Sequence, residues 1–188
     1  MSALRHSPAR YPILRFEPQS FEIPKGGTSG EKILNLPTSK PPRMVFLTSF
    51  NTEGVHGKST ISAYRAKASA IEAAYVQIED QRYPNQPYDC TSREGQIKLF
   101  ADYKRNTSQL MGGRNNFIDF DRFSQDFTMM SISLDRYHGT ENSLPRNGSA
   151  SVHIKLKSSA TDPITVLVIL VYNSSVTFNE ALIPHTDY

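Results

Sequence analysis

The sequence predicts an all-β domain, a sandwich or barrel of short strands with one inserted helix. Three features predict it. Apolar residues alternate with polar ones at the two-residue period of a half-buried strand in several short runs. Breaks bearing proline, glycine, serine and asparagine separate those runs. A single segment combines a helix-start signal with helical apolar spacing. The chain of 188 residues is 38% hydrophobic, which suffices for a core, and its size fits one domain or two very small ones. Its one cysteine, Cys90, closes no intrachain disulfide, and no Cys/His spacing resembles a zinc site, so packing must hold the fold.

The ends, residues 1–10 and 181–188, read as tails around a domain of residues 11–180. From Tyr11 to Glu17 and from Ser20 to Pro24, apolar Ile13, Phe21 and Ile23 alternate with polar neighbours. Pro12, Pro18 and Pro24 lack donors, which places this strand at a sheet edge or at a bulge. Lys25 to Gly30 is a turn, Lys32 to Leu36 a short strand, and Thr38 to Pro42 a break before the apolar run Met44 to Leu47. Alanines between Ser59 and Ala74 favour a short helical or irregular segment, followed by a strand through Ala74 to Glu79. Tyr83 to Pro87 reads as a proline-rich turn. Thr91-Ser92-Arg93-Glu94 has the capping-box form, in which hydroxyl and carboxylate satisfy each other's orphan amides. Ile97, Phe100, Ala101 and Lys104 then follow at helical spacing, giving a helix near residues 91–107 that Gly112-Gly113 ends. Phe117 to Phe127 reads as a turn into the strand Thr128 to Leu134. Ser149 to Lys157 is a strand with one buried face. Ile164 to Tyr172, nearly all apolar or β-branched, is expected to be buried on both faces as its hairpin partner. Val176 to Phe178 adds a last short strand.

Few constellations point to chemistry. The formal charge is +3, with residues 1–67 at +6 and residues 68–188 at −3. A basic third can face phosphate, but these charges are interleaved with prolines and form no stripe, as solvated loop residues do. Gly54-Val55-His56-Gly57-Lys58-Ser59-Thr60 has the Gly-Lys-Ser end of a phosphate-binding loop, with Asp135 as a partner acid. It lacks the first glycine, where Thr52 stands, and Glu53 brings negative charge towards the phosphate. His6, His56, His138, His153 and His185 are isolated, and His153 reads as a solvated strand position. Asp119, Asp121 and Asp126 lack the glycine and distal glutamate of a calcium loop and read as turn caps. Cys90, beside a helix start, reads as a bystander thiol. Arg10-Tyr11, Arg15-Phe16 and Tyr103-Lys104-Arg105 are too sparse for a nucleic-acid reader. The sequons at Asn106, Asn147 and Asn173 read as chance, and the longest apolar run, Val166 to Tyr172, is too short to span a bilayer. No catalytic, metal or cofactor residue is assigned.

The order of the segments carries more than any one of them. Tyr11-Pro12-Ile13-x-Arg15 runs on to Phe21-x-Ile23-Pro24-x-Gly26, then to Leu36-Pro37 and Arg43-x-Val45. Ala74-Tyr75-Val76, Phe127-Thr128 to Leu134, and Gly148-Ser149-x-x-Val152 to Phe178 follow. This series resembles the C-terminal, second jelly roll of the double-jelly-roll major capsid proteins encoded by polinton-type transposons, adintoviruses and their relatives. The matching positions are packing and turn positions spread over roughly residues 10–180, not a catalytic signature. The resemblance implies an eight-stranded jelly-roll β-sandwich with one inserted α-helix, and a structural, non-enzymatic role in a viral or virus-like shell. It implies self-association, as trimers in that family, contact with other capsid subunits including a separate first jelly roll, and location in a virion, or otherwise inside the cell. DNA contact through the basic third is a further expectation. A host-retained module that binds a glycan or other ligand without catalysis is the alternative, since jelly rolls also build lectins.

Overall fold

The period-two segments pair into two antiparallel sheets. The computed structural model describes residues 9–26, 30–36, 41–66, 71–113, 117–134, 150–156, 162–178 and 184–187. In chain order the elements are β1 (Ala9–Ile23), β2 (Glu31–Asn35), β3 (Met44–Asn51), α1 (Thr52–Val55), β4 (Ile71–Ile78), β5 (Gln81–Asp89), α2 (Arg93–Leu110), α3 (Phe120–Asp126), β6 (Met130–Ser133), β7 (Ala150–Leu156), β8 (Ile164–Phe178) and β9 (Pro184–Asp187). One sheet has the order β1-β8-β3-β6, with β9 on the distal part of β8, and the other β2-β7-β4-β5. Of the links between successive strands from β1 to β8, only β4–β5 stays within one sheet. That winding is a jelly roll.

Inward side chains of the two sheets meet in one core. Val45, Leu47, Val166, Val168 and Leu170 come from the first sheet, and Ala74, Val76, Ile78, Val152 and Ile154 from the second. Burying each larger aliphatic contributes roughly 1.5–3 kcal/mol. The expected two-sided burial of β8 has a visible cause. Ile169 and Val171 face outward and join Met44, Phe46, Leu14 and Leu110 in a second apolar cluster on the outer face of the first sheet.

Several local expectations change. β7 and β8 are not a hairpin: β8 pairs with β1 and β3, β7 with β2 and β4, so the link between them crosses from sheet to sheet. The proline-rich Tyr83 to Pro87 lies inside β5, where the register slips so that Tyr83 pairs with Val76 and Tyr88 with Ala74. The prolines sit in that bulge at a sheet edge, where no ladder donor is required. The strand expected at Ala74 begins at Ile71, and of the two alternatives for the segment before it the irregular one holds over the described residues 59–66, which form turns and a bridge. Phe117 to Phe127 contains α3 and not only a turn. Its Asp119 side chain accepts from the Arg122 amide at 2.8 Å and so caps the helix. The cap of α2 falls one residue late: Ser92, not Thr91, accepts from the Gly95 amide at 3.1 Å, while Thr91 donates to Asp89. Val176 to Phe178 continues β8, and the expected tail 181–188 contains β9. Of the expected N-terminal tail, residues 9 and 10 belong to β1 and residues 1–8 lie outside the described residues.

Candidate assembly surfaces

The Gly-Lys-Ser segment is a self-satisfied turn and not an anion cradle. His56 N donates to Thr52 O at 2.9 Å, Gly57 N to Gly54 O at 3.1 Å and Lys58 N to Glu53 O at 2.9 Å. Amides that would close on a phosphate therefore point inward. The Lys58 ammonium is bound to the Glu53 carboxylate, and that hydrogen bond holds the carboxyl below its usual range. The preceding β3 lies in an antiparallel sheet, so the nucleotide-loop candidate is overturned. Its partner Asp135 lies outside the described residues, as do His6, His138 and Asn147.

Other candidates disperse. His56 pairs with Glu22 at 3.0 Å, and Asp126 with Arg65 at 3.1 Å. Asp121 sits in the first turn of α3, and His185 lies in β9. Cys90 is buried with its Sγ 3.5 Å from Met130 Sδ. Arg10 donates to Ser175 Oγ at 2.9 Å, and Arg15 pairs with Glu17 at 3.1 Å over the Tyr172 ring. Asn106 is buried, with its amide donating to Ser131 O at 3.1 Å, which a glycan would forbid. Asn173 is exposed on β8. Among the described residues no three His, Cys, Asp or Glu side chains converge as a metal site, and no helix is long and apolar enough to cross a membrane.

Among the described residues, the two sides of the sandwich differ. On one side the edge strands β5 and β6 are bridged by α2. The one Tyr88 hydroxyl proton is shared between Asp102 at 2.8 Å and Ser131 O at 3.1 Å, and Asn106 donates to the same carbonyl. The Ser131 carbonyl on the open edge of β6 is thereby satisfied by side chains. Burial first, and the Asp102 bond second, push the Tyr88 phenol above its ordinary value. A cleft of about 570 Å³ lies between α2 and the β5 bulge, lined by Tyr83, Asn85, Gln86, Lys98, Arg105 and Gln109 among others. On the opposite side β1, 15 residues long, is the sheet edge among the described residues, with Tyr11, Ile13 and Phe16 exposed.

The outer face of the second sheet carries an ordered polar cluster. Tyr75 of β4 stacks on His153 of β7, ring centroids 4.6 Å apart and nearly parallel at 9°. Glu31 Oε1 on β2 receives Tyr75 Oη at 2.9 Å and lies 2.7 Å from His153 Nδ1. Ser151 Oγ lies 2.9 Å from His153 Nε2. These bonds, His153 first and Tyr75 second, hold the Glu31 carboxyl below its ordinary value. His153 is thus not the solvated strand position expected: its side chain is only 12% exposed. The i, i+2 spacing of Ser151 and His153 on one strand face is legible in sequence, whereas Glu31 joins them only through the β2–β7 register.

No family model matches the chain. An uncharacterized protein of Caenorhabditis elegans is 24% identical over 174 residues, 90% of this chain and 41% of that one. Among solved structures, a chain of the Sputnik virophage matches with a TM-score of 0.60 at 8% identity, covering 96% of this chain and 39% of that one. PBCV-1 VP54, fitted into a reconstruction of Sputnik, matches with a TM-score of 0.51 at 10% identity, covering 97% and 52%. The chain therefore spans about two-fifths to one-half of the proteins it matches. At these identities the likeness establishes the fold, a jelly roll of the kind found in these viral particle proteins.

Proposed function

We propose that the protein is a capsid-type jelly-roll module, a structural subunit that assembles with other subunits into a viral or virus-like shell. The observation that carries this reading is the strand winding, shared over 96% of the chain with a Sputnik virophage chain. The core between the sheets is closed and apolar, so the role rests on edges, loops and sides. The segment order from Tyr11-Pro12-Ile13 to Phe178 supports a place among polinton-type and adintovirus capsid proteins. It further supports trimers completed by a first roll from another segment or chain.

Light scattering with electron microscopy tests the proposal. A capsid module gives trimers or larger lattices as concentration or ionic strength is raised. A monomer at every concentration that retains glycan on an array overturns it in favour of a ligand-binding jelly roll, for which the polar cleft beside α2 is the place to look.

A further inference from the structure

We infer that Ser151 is a nucleophile, activated by His153 and positioned with Glu31 on the outer face of the second sheet, that accepts the acyl group of a small ester. With the imidazole neutral, the hydrogen-bond directions follow from what each group can do. A carboxylate only accepts, so Glu31 requires the proton on His153 Nδ1, 2.7 Å away. Nε2 then carries the lone pair, and Ser151 Oγ, 2.9 Å away, donates to it. Nucleophile, base and orienting acid stand in the relation that defines a serine triad by geometry rather than by chain order.

The support around the base strengthens the reading. Tyr75 covers one face of the imidazole and binds the same Glu31 oxygen at 2.9 Å, which locks the ring plane and the carboxylate together. Arg82 stacks on Tyr75, 4.9 Å from its centroid. Ser151 is half-buried and remains accessible. Directly across from it on either neighbouring strand are Asn35 of β2 and Gln77 of β4. Residues opposite in antiparallel pairs share a face with Cβ atoms about 4.5–5.5 Å apart, so Asn35 is the candidate donor for an oxyanion, while the Gln77 carboxamide already donates to Glu79 O at 3.0 Å.

In the step itself, the Ser151 Oγ–C bond forms as the hydroxyl proton passes to His153 Nε2. The ester C–O bond breaks, and the alcohol leaves with that proton. Water then releases the carboxylic acid by the reverse proton path.

The test treats the full chain with an alkyl fluorophosphonate, which leaves its phosphoryl group on Oγ and loses fluoride, and maps adducts by peptide mass. One adduct at Ser151 is expected, absent in Ser151→Ala and slowed about 100-fold in His153→Gln. The wild-type rate is expected to fall in acid, because a base that already carries a proton takes none from the hydroxyl. Glu31→Gln, which lets the imidazole tautomer reverse, is slower than wild type, and Glu31→Asp recovers part of the rate. No adduct at Ser151, labelling of His153→Gln at the wild-type rate, or a pH-independent rate overturns the inference. Where a variant melts early, the wild-type pH profile alone decides.

Discussion

Tyr172 shows how one atom can set a pH limit. Its side chain is buried beneath the Arg15 guanidinium, yet the hydroxyl has no hydrogen-bond partner among the described residues. Burial first, and the Glu17 charge second, push the phenol up to about 12 from 10.0. The folded protein therefore holds this proton more tightly than the unfolded chain. Its contribution is complete below the unfolded value and is lost as pH rises from about 10 through about 12. Replacing the hydroxyl by hydrogen in Tyr172→Phe removes an unsatisfied polar group. Urea unfolding is expected to show a gain of about 1 kcal/mol at neutral pH and a smaller loss at about pH 11. A destabilised Tyr172→Phe would mean that the hydroxyl is satisfied after all. Tyr88 titrates in the same direction but has partners in Asp102 and Ser131, so Tyr88→Phe loses stability where Tyr172→Phe gains it. At this scale the sequence reveals residue chemistry but not partnership. Ser151 and His153 can be placed on one face by counting in twos, while the acid that completes their cluster is 122 positions from His153 and needs the sheet to bring it near.

Elements were legible where burial is one-sided and local rules agree. β7 shows strict alternation and matches its expected span closely. The helix signal of α2 survives because a cap and apolar spacing coincide, although Asp89, which accepts from Thr91 and Ser92, moves the cap to Ser92. Gly95 shows why the turn is so tight, since a Cβ there would stand 1.8 Å from the Asp89 carbonyl oxygen. The β5 strand was illegible because its prolines are tolerated by an edge and a bulge, which only the topology creates. The β7–β8 hairpin was misread for a related reason: a link of hairpin length serves equally well to cross between sheets, and only the occupied edges of both strands decide. What α2 does is also a matter of place. It lies across two sheet edges and supplies Asn106 to the β6 carbonyl at Ser131. Asn106→Leu leaves that acceptor with one donor fewer, and a loss of about 1–3 kcal/mol is expected in denaturant unfolding. Ile97→Ala, at an exposed position of the same helix, is expected to stay within about 0.5 kcal/mol. Equal costs at the two positions would show that α2 is not an edge cover.

For the whole molecule, the question is how such a sandwich meets its neighbours without becoming a template for uncontrolled strand addition. β1 runs in unbroken register with β8 from Ala9 to Ile23, and among the described residues no strand pairs with its other edge. A proline inside a paired strand must turn its nitrogen away from the partner. Pro12 and Pro18 are six positions apart and so turn theirs to the same open edge. Residues of that parity supply the open edge's main-chain donors, and two of them are missing. If the protein assembles as proposed, a neighbour on this side would be held by side chains, with Tyr11, Ile13 and Phe16 exposed there, rather than by extending the sheet. Restoring the donor with a strand-favouring residue, in Pro18→Val and in Pro12→Val/Pro18→Val, should convert an ordered surface into an adhesive edge. Light scattering is expected to show irregular, concentration-dependent aggregates in place of discrete species, more strongly for the double variant, with the melting temperature little changed. Unaltered assembly in both variants would show that the edge is already shielded and that the prolines serve only the path of the strand.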